Sequence, residues 1–225
     1  MNTLLVINTS SRTARSITRR LTQRYAEGWN LRHPAGRIIH RDLGANPPPA
    51  IGHDWISAAF AKPGQETTAT QEALELSEYL IEEIENADTV VLGVPMYNFG
   101  MPAQLKAYID QIVRIGRTFD FDANDLSNPY RPLLQTKPVI VITSTGDGAL
   151  HPGGSLAHLN FLEPHLTTVF NFIGLTDLNF VRVGYEEYKD DRFKQSLAAA
   201  DLAVDQLIER STALELVRQP QYTII

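Results

Sequence analysis

Three short runs constrain this chain most: TLLVIN (Thr3–Asn8), TVVLGV (Thr89–Val94) and PVIVIT (Pro138–Thr143) are apolar almost without interruption. A strand with one wet face alternates apolar and polar residues. A run this uniform is covered on both faces, the condition of strands inside a parallel sheet. Two further segments read as strands, RIIHRD (Arg37–Asp42) and NFVRV (Asn179–Val183), and the polar interruptions of the first put it nearer an edge. Helical spacing fills the gaps, over Arg15–Glu27, Thr70–Glu85, Pro102–Ile115, Leu156–Ile173 and Asp190–Arg210. Strands alternating with helices make βαβ units with right-handed crossovers. The expected fold is α/β, a three-layer, doubly wound, five-stranded parallel sheet of order 2-1-3-4-5.

A chain of 225 residues fits one domain spanning 1–225, with 211–225 as a C-terminal extension. Three connections are too long to be simple turns, 46–64, 119–136 and 145–155, and long segments in compact α/β domains usually serve a site or an interface. The net charge of -6 argues against a nucleic-acid binder, which needs a basic face. There is no cysteine, so thiolate nucleophiles, Cys-ligated zinc and iron–sulfur clusters are excluded, and any redox chemistry needs an organic cofactor. The start MNTLLVINTSSR has no basic leader, and no run approaches the roughly 18 apolar residues of a membrane span. The expected location is the cytoplasm, with no membrane partner.

In an open parallel sheet, ligands bind at the carboxyl ends of the strands. After the first strand comes NTSSRTARSIT, which sets hydroxyls and arginines just before a helix. A helix N-terminus offers unpaired N–H groups and partial positive charge, which suit a phosphate. Neither the P-loop nor the dinucleotide glycine pattern is present, and an ordinary Ser/Thr cap explains this loop equally well. After the third strand comes PMYNFGMP, which is either one wall of a flat ligand or an apolar loop packed under a neighbour. After the fourth comes STGDGAL, whose glycines permit close backbone approach. Each loop alone is ambiguous; three at adjacent strand ends describe a planar, phosphate-bearing ligand.

Other candidates are weaker. His158 and His165 lack a third ligand, so no metal site is expected. Asp120, Asp122 and Asp125 lack calcium-loop spacing. His151 lies at the mouth of the proposed site and is a candidate for substrate contact. No nucleophile elbow accompanies any serine, and no catalytic acid or base is assigned.

The segments PMYNF (Pro95–Phe99), QLKAYID and GRTF, with VINTSSR, RDLGANPPP, VIVITSTGDG and FNFIGLTDLNFV in this order, resemble the FMN-dependent NADH-azoreductases, also called FMN-dependent NADH:quinone oxidoreductases. The resemblance spans roughly residues 1–210. It implies a flavodoxin-like fold and a homodimer with FMN at the interface. It also implies phosphate contacts from Ser10, Ser16, Ile17 and Thr18, ring contacts from Pro95, Met96, Tyr97, Asn98 and Phe99, and ring-edge contacts from Ser144, Thr145, Gly146 and Asp147. Many relatives read S-R-G-G at the last site, where this chain has Thr145 and Asp147 instead of Arg and Gly. Asp147 would add negative charge near the flavin.

The implied activity is transfer of two electrons from NADH, or NADPH, to small planar quinones and azo compounds by a ping-pong hydride mechanism. Phe99 and Phe121 are the expected apolar walls of the substrate pocket, Phe121 reaching toward a partner's site. The alternatives are an NAD(P)H:FMN reductase that releases its flavin, a flavodoxin-type electron carrier without a nicotinamide site, and a non-catalytic binding protein.

Overall fold

A computed structural model of the chain describes residues 2–61, 64 and 67–218, with side chains described as far as residue 210. Five strands, β1 (Thr3–Asn8), β2 (Arg37–Asp42), β3 (Thr89–Pro95), β6 (Pro138–Ser144) and β7 (Asp177–Val183), form one sheet in the order β2-β1-β3-β6-β7. Every pairing in it is parallel. This is the expected 2-1-3-4-5 order, and β2 with its polar interruptions does lie at an edge.

The uniform runs are central because both faces are covered. Successive side chains of a strand point to opposite faces. Leu5, Ile7, Val90, Leu92, Val94, Val139 and Val141 pack on one face against α3 (Thr68–Asn86), α4 (Ala103–Ile112) and α5 (Leu162–Ile173). Leu4, Val6, Val91, Ile140, Ile142, Val181 and Val183 pack on the other against α1 (Ile17–Arg32) and α6 (Asp191–Arg218). Both layers contribute large buried side chains: Tyr108 and Phe170 on the first face, Tyr25 and Trp29 on the second. α6 continues past Arg210 to Arg218, so the first part of the 211–225 extension prolongs that helix; residues 219–225 lie outside the described residues.

Several boundaries differ from the sequence expectation. α1 starts at Ile17, not Arg15, because Arg15 takes a left-handed φ of 59° and Ser16 is the N-cap, its hydroxyl accepting from the Arg19 amide at 3.4 Å. α3 starts at Thr68 behind a reciprocal Thr67–Thr70 cap. α4 ends at Ile112, and β7 begins two residues early at Asp177. α5 starts at Leu162, not Leu156. A single 3-10 turn over Ala157–Leu159 comes first, and Asn160 Oδ1 then accepts from the amides of Leu162 and Glu163 at 3.1 and 3.2 Å. The long segments hold structure of their own: α2 (His53–Ala59) in the first, and an antiparallel hairpin of β4 (Phe119–Phe121) and β5 (Tyr130–Pro132) in the second. Among the described residues, no helix is long and apolar enough to cross a membrane.

Candidate functional site

The carboxyl ends of β1, β3 and β6 bring the three loops together. After β1, Thr9 Oγ1 donates to the Gly93 carbonyl at 2.8 Å, tying the loop to β3. Gln104, in the first turn of α4, donates to the Thr9 carbonyl at 2.6 Å and to Ser11 Oγ at 2.9 Å. The Ser10 hydroxyl is almost wholly buried and accepts from the Arg12 amide at 3.2 Å. At the start of α1 the Ser16 and Thr18 hydroxyls lie 3.3 Å apart. The first two amides of a helix, here Ile17 and Thr18, have no intrahelical acceptor. The donors at this end are hydroxyls, helix-terminal amides and the Arg12 guanidinium, a set suited to an anion.

After β3 the chain turns tightly. Tyr97 and Gly100 exchange both backbone hydrogen bonds at 3.0 Å, and the two residues between them, Asn98 and Phe99, have φ of 48° and 68°. Positive φ at both central positions is the type I′ signature, which Asn adopts readily and Phe rarely. The turn is held at both ends: the Met96 amide donates to the Ser144 carbonyl at 2.8 Å, and the Phe161 amide to the Phe99 carbonyl at 3.0 Å. Tyr97 and Phe99 are left exposed, so this segment is not an apolar loop tucked into the core.

Ser144, which ends β6, and Thr145, which follows it, are buried. Thr145 Oγ1 donates to the Asp147 carbonyl at 2.9 Å and lies 2.9 Å from His151 Nε2. Burial pushes the His151 imidazole below its ordinary pKa, so its neutral form is favoured in this contact. Asp147 caps the short turn Gly148–Leu150, accepting from the Ala149 amide at 2.9 Å and from the Tyr188 hydroxyl at 3.0 Å. Those two donors hold its carboxyl below the usual carboxylate range.

Between the loops lies a cleft of about 420 Å³ lined by Ser10, Arg12, Ser16, Ile17, Pro95, Met96, Tyr97, Ser144 and Gly146, and closed by Glu186, Glu187 and Lys189. The last three were missed by sequence reasoning. They follow β7, in a segment where no site residue was expected. The fold brings them to the β6 loop, the amide of Glu187 donating to the Gly146 carbonyl at 3.2 Å, and Glu186 pairs with Arg12 at 2.7 Å. Their position after a strand's carboxyl end was the available signal. Of the expected residues, Thr18 in the first turn of α1, and Asn98, Phe99, Thr145 and Asp147 in the loops after β3 and β6, do not line this cleft. Phe121 stands apart in the hairpin, its ring 5.3 Å from that of Tyr130, and His151 lies behind Thr145. Among the described residues, no group of three or more His, Asp or Glu side chains is placed to hold a metal ion.

The cleft has two chemically distinct ends. Ser10, Arg12, Ser16 and Ile17 offer donors and a cation; Pro95, Met96 and Tyr97 offer apolar and aromatic surface beside the small residues Ser144 and Gly146. A flavin mononucleotide, flat at one end and phosphorylated at the other, fits that donor set.

Sheet order and cleft position define a flavodoxin-like protein, and the family model for the flavodoxin-like fold matches residues 2–208. The FMN-dependent NADH:quinone oxidoreductase of Opitutus terrae is 51% identical over 213 residues, covering 95% of this chain and all of that protein. FMN-dependent NADH:quinone oxidoreductase 2 of Trichormus variabilis is 42% identical over 209 residues, covering 92% and 99%. The chain belongs to the FMN-dependent NADH:quinone oxidoreductase family. Among solved structures, an FMN-dependent NADH-azoreductase from Bacillus anthracis in complex with FMN superposes with a TM-score of 0.81 at 23% identity, covering 94% of this chain and 100% of that one. At that identity the likeness concerns the fold.

Proposed function

We propose that this chain is an FMN-dependent oxidoreductase that passes two electrons from NADH, or NADPH, to quinones and azo compounds. The observation that carries this is the two-ended cleft at the sheet's switch point, in a chain 51% identical to a relative named as an FMN-dependent NADH:quinone oxidoreductase. Ser10, Ser16, Ile17 and Thr18 would hold the phosphate, with Arg12 adding charge. Pro95, Met96, Tyr97, Asn98 and Phe99 would line the ring, and Ser144, Thr145, Gly146 and Asp147 its polar edge. When bound, FMN supplies two-electron chemistry, taking a hydride from the nicotinamide and reducing the second substrate. The chain's own part is to orient and to exclude water. Exposed Phe99 offers a flat apolar wall, and Phe121 and His151 are proposed on the substrate side.

We read residues 1–225 as one domain with 211–225 as its extension, acting in the cytoplasm as a homodimer. Phe121 and Tyr130, both exposed on the hairpin, are available to face a second copy's cleft. No side chain is assigned as acid or base.

The test is the absorbance spectrum of the purified protein. Bound FMN should bleach on anaerobic addition of NADH and recover with a quinone, and steady-state kinetics should give parallel double-reciprocal lines. A protein that takes up no FMN, or a sequential kinetic pattern, overturns the reading.

A further inference from the structure

Arg19 is the cation nearest the start of α1 on the helix itself, yet it does not line the cleft. Its side chain is mostly covered, 17% exposed, and turned toward the end of β2. Nη1 and Nη2 form a fork on Asp42 at 2.7 and 2.6 Å. Nε and Nη2 both donate to the Ser10 carbonyl, at 3.2 and 2.7 Å. Four of the five guanidinium N–H directions are thus committed. Asp42 is fixed in turn, its Oδ1 accepting from the amides of Gly44 and Ala45 at 3.0 and 3.1 Å. The β2 end presses so closely here that a Cβ at Gly44 would collide with the Ser10 carbonyl.

The consequence for the cleft is geometric. Across a planar trans peptide, a carbonyl and the following N–H point in opposite directions. Pinning the Ser10 carbonyl on Arg19 therefore turns the Ser11 N–H away from the clamp, and fixes the backbone that aims the Ser10 hydroxyl.

We propose that Arg19, backed by Asp42, is a positioning residue for the phosphate end of the cleft. It acts through the Ser10 carbonyl, without touching the ligand, to set the donors that select a phosphorylated flavin over an unphosphorylated one. This rests on the reading of the cleft as an FMN site. It goes beyond that reading by assigning phosphate selectivity to a residue outside the cleft.

The experiment compares FMN and riboflavin binding to the apoprotein by quenching of flavin fluorescence, for wild type, Arg19→Lys and Asp42→Asn. Arg19→Lys keeps the charge but loses the fork. Asp42→Asn keeps an acceptor for the Gly44 and Ala45 amides but loses the charge that holds Arg19. The FMN dissociation constant should rise about tenfold in Arg19→Lys, the scale of one charge-assisted hydrogen bond. Asp42→Asn should shift it in the same direction. The riboflavin constant should barely move, so the preference for FMN collapses. A merely structural role would weaken both flavins together or lower only the melting temperature. Either result, or a preserved preference for FMN in both variants, overturns the proposal while leaving the FMN reading intact. Wild-type protein that binds riboflavin as tightly as FMN overturns both. Should Arg19→Lys fail to fold, Asp42→Asn carries the same comparison alone.

Discussion

The turn after β3 makes a quantitative prediction about Phe99. At φ of 68° an L-residue with a Cβ meets the left-handed penalty, roughly 1–2 kcal/mol. In an ordinary loop, replacing Ala by Gly destabilises by about 0.4–1 kcal/mol, because the unfolded chain gains freedom. Comparing Phe99→Gly with Phe99→Ala therefore isolates the backbone, since both lose the same ring. The penalty relieved exceeds the freedom gained, so the glycine variant should be the more stable by about 0.5–1 kcal/mol, the reverse of the usual order. In a chain of this size that is a melting temperature about 1–4 °C higher. Phe99 is 48% exposed, and both variants forfeit the same ring burial, which cancels in the comparison. Thermal melts followed by circular dichroism read the stability, and quinone reduction by the same samples reads the function. Both variants should lose activity to a similar degree, as expected if the ring is a wall of the substrate pocket. An alanine variant that melts at or above the glycine variant refutes the argument from strain.

Two further outcomes follow from the β6 loop. His151 has a pKa lowered by burial from the ordinary 6.5, so the unfolded state binds more protons in acid. Its stabilising contribution is complete above pH 6.5 and is lost as pH falls from there through the lowered folded value. Melting temperatures should accordingly drop more between neutral and acid pH in wild type than in His151→Gln, and equal pH profiles would dismiss the role of burial. Asp147→Asn keeps the cap on the Gly148–Leu150 turn but removes the charge, and should raise the reduction potential of bound FMN; an unchanged potential places that carboxylate out of electrostatic reach of the ring.

The sheet was legible because its signal is compositional. Leu4 to Ile7, Val90 to Val94 and Val139 to Ile142 are apolar on both faces, and that pattern has few other uses. Helix ends were less legible because they depend on single backbone angles: the loop NTSSRTARSIT offered a Ser/Thr cap, but not which hydroxyl takes it, and that turned on the left-handed φ of Arg15, which leaves the cap to Ser16. The hairpin of β4 and β5 has only three residues per strand, too few for a period to register. The PMYNF and β1 loops were found because strand ends in such sheets are where ligands go. The wall of Glu186, Glu187 and Lys189 was not, because charge in sequence looks the same whether it meets water or closes a cleft. The partner of Glu186, Arg12, lies 174 residues away.

The hydrogen bond from the Phe161 amide to the Phe99 carbonyl joins two exposed aromatic residues through their backbones. Rotamer changes can tilt either ring, but the separation of their Cα atoms is set by main chain that is itself capped and turned. Two rings from distant parts of the chain are thus anchored as one unit, so a change that unmakes the Asn98–Phe99 turn also frees the residue that leads into α5.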